Sequence, residues 1–279
     1  MPSTVDLYCV MGNPVEHSRS PWIHARFAQL TAQDLRYTRE LVALDGFPAA
    51  VQAFAAAGGR GCNVTVPFKL QAAELADSRS ERVQLAGAAN TLVLSDGRIH
   101  ADNTDGLGLV ADIRDNAGQA IAGRDLLLIG AGGASAGALG PLLAEQPRRI
   151  VIVNRTLEKA QALVERHAAL AARHGVALSA QGLEIAQDFD LVINASASSL
   201  GGAAVPVAAG VLRPGCLAYD MMYGPAAQPF LDWAAHNGAR GRDGLGMLVE
   251  QAAAAFALWR GVRPLGAPVL AELRASLGA

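Results

Sequence analysis

A glycine-rich turn is the first segment of this sequence that could do chemistry. Residues 129–135 read Ile-Gly-Ala-Gly-Gly-Ala-Ser, after an apolar segment and before a stretch rich in alanine and leucine. In such a strand–turn–helix unit, glycines let the backbone approach a pyrophosphate, which then lies against the unpaired N–H groups of the helix N-terminus. The alternative is a purely structural turn. The candidate dinucleotide-binding residues are Gly130, Ala131, Gly132, Gly133 and Ala134.

The end of the next predicted strand indicates which dinucleotide is bound. Enzymes that use NAD commonly place a carboxylate there, which binds the ribose 2′-hydroxyl. This chain has Asn154, Arg155 and Thr156 instead, with Lys159 one helical turn further on. A guanidinium can pair with a 2′-phosphate, and a threonine can cap the helix and donate its hydroxyl. The sequence therefore predicts NADP as the cofactor; an ordinary N-cap beside a solvated arginine is the alternative.

A second group of candidate residues lies in the first third of the chain. Lys69 falls in the first turn of a predicted helix, where the helix dipole disfavours an ammonium by ~0.3–1 kcal/mol. Only two of the 23 basic residues are lysines, and a lysine, unlike an arginine, can release a proton. Asn90 and Asp105 flank a predicted hairpin, although Asp105 could also be a plain N-cap. We expect Lys69, Asn90 and Asp105 to converge on a hydroxylated substrate, with Lys69 moving a proton.

Two serines after the first predicted strand suit an anionic group. Ser18 and Ser20 stand at the start of a helix, where hydroxyls and backbone N–H groups can bind a carboxylate. Alternatively, Ser20 is an N-cap with Pro21 at the first helical position. His17 has no second ligand nearby in the sequence, so we predict no metal site.

The elements that must position these residues follow an α/β pattern. Short β-branched runs alternate with longer Ala/Leu-rich stretches bounded by glycines, which is typical of βα units and parallel sheets. The predicted strands are 5–11, 36–43, 61–66, 125–129, 149–153, 190–194 and 217–221, with a hairpin turning at Asp96-Gly97. The predicted helices are 21–31, 47–57, 69–87, 105–116, 134–145, 156–174, 227–237, 245–260 and 267–277.

Composition limits the class of protein. A chain of 279 residues is about twice a typical domain, and 51% hydrophobic against 17% charged residues excludes a disordered chain. The net charge is −2, so the chain has no excess of basic residues of the kind expected of a general nucleic-acid binder. The sequence shows neither an apolar leader nor a run of roughly 18 apolar residues, and its three cysteines are far apart. We therefore expect a cytoplasmic protein away from membranes. We expect one domain at 1–116, on which 243–279 packs, and a second at 117–242.

Taken together, these motifs resemble the shikimate dehydrogenase family over nearly the whole chain. The matching strings are residues 12–14, 17–21, 63–69, 87–91, 102–106, 130–135, 154–156, 219–221 and 243–247. The resemblance implies an N-terminal α/β substrate domain and a Rossmann-like dinucleotide-binding domain, with the active site in the cleft between them. It also implies an NADP-dependent oxidoreductase that reversibly reduces 3-dehydroshikimate to shikimate, a step of chorismate and aromatic amino-acid biosynthesis.

The resemblance further assigns roles to individual residues. Ser18 and Ser20 would bind the substrate carboxylate, and Lys69 would be the acid/base, held by Asp105. The residues around the ring hydroxyls would be Thr65, Asn90, Asp105, Tyr223 and Gln251. Met221 and Gly244 would lie near the nicotinamide. The expected partner is the small-molecule substrate, and the chain would be a monomer or a homodimer.

Two other functions are compatible with much of this pattern. A quinate/shikimate dehydrogenase of broader specificity often uses NAD, but such relatives tend to carry an acidic residue where this chain has Thr156. A catalytically silent sensor would bind a shikimate-like ligand and a dinucleotide without turnover. The presence of both Lys69 and Asp105 disfavours the sensor, because binding alone needs no proton transfer.

Overall fold

The computed structural model describes residues 5–196 and 204–278 and arranges the described strands in two six-stranded sheets. The chain divides into two units, each holding one sheet. Unit 1 contains Met1–Gly108 and Val249–Leu273, and unit 2 contains Leu109–Leu248 and Arg274–Ala279. The domain bounds expected from the sequence, 1–116 with 243–279 and 117–242, stay a prediction.

The sheet of unit 1 brings the ends of its parallel strands to one edge. Its strands are β1 (Asp6–Gly12), β2 (Leu35–Leu41), β3 (Gly59–Val64), β4 (Ser78–Arg79), β5 (Thr91–Ser95) and β6 (Arg98–Asp102), in the order β2-β1-β3-β5-β6-β4. Strands β1, β2 and β3 are parallel, so the loops that carry Ser18 and Lys69 both begin at the carboxyl ends of the strands, on the same side of the sheet. The predicted hairpin is confirmed: β5 and β6 are antiparallel, and Asp96 and Gly97 both have positive φ, as a type I′ turn requires.

The prediction of a single helix at 69–87 is wrong, because this segment forms two helices separated by a short strand. The helices of unit 1 include α1 (Ser20–Leu30), α2 (Phe47–Ala56), α3 (Lys69–Leu75) and α4 (Glu81–Ala86). After α3 the backbone is extended at Ala76, and the N–H groups of Asp77 and Ser80 donate to carbonyls of β6. The Ser80 hydroxyl then accepts the Val83 N–H and begins α4. Pairing with a neighbouring strand has therefore overridden a helical local sequence.

Unit 2 has the strand order of a Rossmann fold. Its strands are β7 (Asp125–Ile129), β8 (Arg149–Val153), β9 (Ala177–Gln181), β10 (Phe189–Asn194), β11 (Leu212–Asp220) and β12 (Arg240–Arg242). They are all parallel, in the order β9-β8-β7-β10-β11-β12, which is the doubly wound order of dinucleotide-binding domains. The predicted fold class is confirmed. The edge strands β9 and β12 are not in the prediction, because edge strands carry little continuous apolar sequence.

The remaining helices connect these strands and close the chain. They are α5 (Asp105–Ala111), α6 (Gly133–Ala144), α7 (Leu157–His174), α8 (Gln228–His236), α9 (Leu245–Arg260) and α10 (Gly266–Leu277). The predicted helix at 105–116 changes to a π-helical turn over Asp112–Asn116. Within residues 5–196 and 204–278, the helices are too short or too polar to cross a lipid bilayer.

Gly246 lets the start of α9 approach a buried carboxylate of unit 2. A Cβ atom at Gly246 would lie 1.8 Å from Asp112 Oδ1. This carboxylate is fixed, because it accepts hydrogen bonds from Tyr219 Oη at 2.8 Å and from Arg242 Nη2 at 2.6 Å. We expect Gly246→Ala to lower the free energy of unfolding in urea by about 1–3 kcal/mol, the usual cost of overpacking. The control is Gly182→Ala, whose Cβ would meet open space; equal stability of the two variants would contradict the prediction.

Candidate active site

Lys69 and Asp105 form an ion pair in unit 1. Lys69 is the first residue of α3 and Asp105 the first residue of α5, so the N-cap interpretation of Asp105 is wrong. The Lys69 Nζ lies 2.5 Å from Asp105 Oδ2. The lysine side chain keeps 32% of its exposure, so the ion pair is only partly buried. The pair can hold a proton donor beside an anion that stabilises its charge.

Asn90 fixes the second oxygen of the Asp105 carboxylate. Its Nδ2 lies 2.8 Å from Asp105 Oδ1 and 3.2 Å from Gln251 Oε1, and its Oδ1 accepts the backbone N–H of Thr104 at 2.8 Å. Asn90 and Gln251 are both buried. The structure thus brings Lys69, Asn90, Asp105 and Gln251 into one network; their roles in binding and catalysis stay predictions.

The serine loop, residues 15–20, lies between β1 and α1. The Ser18 N–H donates to Val15 O at 3.1 Å, and the Ser20 N–H donates to Ser18 Oγ at 3.3 Å. Because α1 begins at Ser20, its N-cap is Arg19, whose side chain makes no capping hydrogen bond. The interpretation of Ser20 as an N-cap is therefore wrong, and Ser20 is a buried residue of the first turn.

Two other predicted substrate residues occupy separate places in the fold. The Thr65 N–H donates to Met11 O at 2.9 Å, which holds the segment leading to α3 against the end of β1. Tyr223 belongs to unit 2, where it precedes the one-turn helix Gly224–Ala226. Their contacts with a substrate stay predictions.

Tyr37 and Asn63 were not among the predicted site residues, although they lie next to the Asn90 network. The Tyr37 hydroxyl donates to Asn63 Oδ1 at 2.7 Å, and Asn63 Nδ2 donates to Thr91 Oγ1 at 3.1 Å. His24 stacks on Tyr37 with ring centroids 4.2 Å apart. Burial lowers the pKa of His24 to about 3 and raises the pKa of Tyr37, so both side chains are uncharged at neutral pH. Asn63 stands out as a polar residue in a buried strand, whereas Tyr37 has no sequence signal.

Unit 2 contains a cavity of about 780 Å³ beside the glycine-rich turn. The predicted cofactor residues that line it are Gly130, Ala131, Gly132, Gly133, Ala134, Asn154, Arg155, Thr156, Lys159 and Met221. Gly130 has φ +105°, and Cβ atoms at Gly132 and Gly133 would meet open space. None of the described lining residues is acidic. The start of α6, the open glycine surface and two cations suit a dinucleotide with an additional phosphate.

Three details complete or correct this site. The buried Ser135 hydroxyl donates to Gly130 O at 2.7 Å and so fastens the turn. Thr156 is the N-cap of α7, as predicted, but its side chain makes no capping hydrogen bond. A Cβ at Gly244 would lie 2.2 Å from Met221 O; Gly244 therefore permits the close packing that supports the cavity wall at Met221.

Three family models match the chain in order. The shikimate dehydrogenase substrate binding domain matches residues 10–92, the shikimate / quinate 5-dehydrogenase model matches 112–201, and the shikimate 5′-dehydrogenase C-terminal domain matches 244–274. The chain belongs to the shikimate dehydrogenase family. The first model covers the serine loop, Lys69 and Asn90, and the second covers the glycine-rich turn and Arg155.

Relatives in this shikimate dehydrogenase family are similar over the full length. Shikimate dehydrogenase (NADP(+)) of Acidovorax sp. (strain JS42) is 71% identical over 280 residues, covering 100% of this chain and 99% of that protein. Shikimate 5-dehydrogenase from Thermus thermophilus, solved in complex with NADP(H) and shikimate, has a TM-score of 0.84 and 30% identity over 97% and 99% of the two chains. An Ael1 enzyme from Pseudomonas putida has a TM-score of 0.90 and 48% identity, covering 96% of this chain and 98% of its own.

Proposed function

We propose that this protein is an NADP-dependent shikimate dehydrogenase that reversibly reduces 3-dehydroshikimate to shikimate. The observation that carries the proposal is the Lys69–Asp105 ion pair, held by Asn90 and partly open to solvent. A ligand that is only bound would not need a proton donor of this kind. The proposal agrees with the names of the similar proteins, which specify shikimate and NADP.

In the proposed complex, the substrate is bound largely through uncharged hydrogen-bonding groups. Ser18 and Ser20 bind the carboxylate, because their loop offers hydroxyls at the first turn of α1. The residues that bind the ring hydroxyls are Thr65, Asn90, Asp105, Tyr223 and Gln251.

Proton transfer in the proposed reaction is carried by Lys69. NADPH, when bound, supplies the hydride that reduces the C3 carbonyl. The Lys69 ammonium donates a proton to the oxygen of that carbonyl, and Asp105 keeps the lysine directed at it. In the oxidative direction the neutral lysine accepts the proton of the C3 hydroxyl. Asn90 contributes by preventing rotation of the Asp105 carboxylate.

The proposed cofactor contacts divide between the turn and the end of β8. The glycine-rich residues 130–134 bind the pyrophosphate, with Asn154 on the adjacent wall. Arg155, Thr156 and Lys159 bind the 2′-phosphate. Met221, supported by Gly244, borders the nicotinamide.

We also propose that the protein acts in the cytoplasm on a small molecule, as a monomer or a homodimer. The absence of a membrane-spanning helix among the described residues is compatible with this location. Light scattering of the purified protein will measure its mass and so distinguish the two assemblies.

Steady-state kinetics with four substrate–cofactor pairs will test the proposed function. Oxidation of shikimate and of quinate is followed by NAD(P)H absorbance, with NADP⁺ and with NAD⁺. We expect kcat/KM for shikimate to be about 10- to 100-fold higher with NADP⁺, since each hydrogen bond to the charged 2′-phosphate stabilises the complex by about 1.5–3 kcal/mol. Preference for NAD⁺ would contradict the cofactor assignment, and ligand binding without turnover would favour a sensor.

A further inference from the structure

Arg39 connects the edge of the unit 1 sheet to the serine loop. It lies on the edge strand β2, opposite Val10 of β1. Its Nε and Nη2 both donate to the backbone carbonyl oxygen of Ser18, at 3.0 and 2.6 Å. A planar guanidinium that holds one oxygen with two N–H groups fixes the orientation of that peptide. The Ser18 peptide is therefore held by a residue 21 positions away in the sequence.

The partner of Arg39 differs from those of several arginines of unit 1, although Arg79 likewise donates to backbone carbonyls, those of Ala73 and Glu74. Arg26 pairs with Glu272, Arg82 with Asp102, and Arg260 with Asp6. In the described part of the chain, Arg39 forms no ion pair, and its hydrogen bonds go to a neutral carbonyl. The nearest acidic side chains in sequence are otherwise engaged: Glu16 accepts the Val15 N–H and Glu40 accepts the Thr38 hydroxyl. Arg39 thus brings to the serine loop a guanidinium that forms no ion pair within the described residues, while the Glu16 carboxylate of the same loop keeps its own charge.

We propose that Arg39 is a positioning residue for the carboxylate of the substrate. It holds the Ser18 peptide so that the Ser18 and Ser20 side chains face one anion, and its charge favours a carboxylate over a neutral group at that place. The inference rests on the proposed function, because it takes the serine loop as the carboxylate site. The serine hydroxyls already bind a carboxylate more strongly than a neutral ester, and the guanidinium charge increases that discrimination.

Kinetics of Arg39→Gln with shikimate and with its methyl ester will test this inference. The substitution removes the charge and the two-pronged bond but keeps a polar side chain. We expect KM for shikimate to rise about tenfold, kcat to change less than about twofold, and KM for the methyl ester, which depends on the serine positions but not on the charge, to rise less than about threefold. Arg39→Lys restores the charge without the planar fork, so it should recover part of the loss.

Salt and a matched variant provide the controls. Increasing ionic strength should raise KM for shikimate in the wild-type protein more than in Arg39→Gln, since only the former has the charge to screen. Arg36→Gln changes an exposed arginine three positions away, on the opposite face of β2, and should leave KM unchanged. Unfolding midpoints of all variants should agree with the wild-type value.

The other possible results distinguish a failure of the Arg39 inference from a failure of the proposed dehydrogenase function. An unchanged KM for shikimate in Arg39→Gln, or an equal rise for acid and ester, would overturn the role of Arg39 in carboxylate discrimination. If the wild-type protein turns over neither compound, the proposed function fails instead. Calorimetric Kd values for shikimate and its ester, in wild-type and Arg39→Gln proteins, then test the inference alone with the same expected pattern.

Discussion

Lys69→Ala should lower kcat for shikimate oxidation by about 10²- to 10⁴-fold, with KM for shikimate changed by no more than a few fold. The lysine transfers its proton in the transition state, so its removal raises the barrier more than it weakens the ground-state complex. Asp105 and Asn90 keep their mutual hydrogen bond of 2.8 Å without the lysine, so the substrate-binding surface should persist. Initial rates over a range of shikimate concentrations at saturating NADP⁺ will measure both constants.

Lys69→Arg separates proton transfer from charge. An arginine can retain the ion pair with Asp105, but it effectively cannot release a proton. We therefore expect kcat of this variant to fall nearly as far as that of Lys69→Ala. Lys159→Ala, at the other lysine of the chain, should keep the wild-type kcat. A loss confined to KM in Lys69→Ala, or near-normal kcat in Lys69→Arg, would give Lys69 a binding role only.

Arg155→Ala should raise KM for NADP⁺ by about 10- to 100-fold and leave KM for NAD⁺ nearly unchanged, because the guanidinium pairs with the 2′-phosphate that only NADP⁺ carries. Arg155 lines the cavity next to the end of β8 and is exposed, so its removal should not disturb the core. Initial rates with each cofactor at saturating shikimate will give the two KM values.

Lys159 offers a comparison within the same cavity. It lies one turn into α7, and its flexible side chain presents a point charge rather than a planar fork. We expect Lys159→Ala to raise KM for NADP⁺ less than Arg155→Ala does. Equal effects of Arg155→Ala on the KM values of NADP⁺ and NAD⁺ would show that Arg155 supports the cavity without recognising the 2′-phosphate.

The Rossmann half of the molecule could be predicted because its signals are local. The central strand β7 is buried along its whole length, and after Asp125 it appears as an uninterrupted apolar run. The glycine turn follows it directly, and Arg155 follows the next strand. In contrast, β12 reads Arg-Gly-Arg and pairs with β11 through its backbone alone, which leaves no pattern in the side chains.

The segment after Lys69 shows where local pattern fails. Residues 69–87 are rich in alanine, leucine and glutamate, and a helix satisfies all their local preferences. The strand Ser78–Arg79 forms because β6 offers it backbone partners, and β6 is placed by a hairpin some twenty residues further on. Its existence depends on the neighbouring strand rather than on its own residues.

The sequence by itself determined which chemistry the chain can perform. A lysine at a helix start, carboxamide and carboxylate side chains around a hairpin, and glycines before a helix are properties of residue type and short spacing. The tertiary structure alone decided which of them meet. Asn90 contacts Gln251 across 161 positions, and Arg39 contacts Ser18 across 21. Such contacts depend on how distant segments pack, and a slip of one residue in β2 would turn Arg39 to the opposite face of the sheet, away from Ser18.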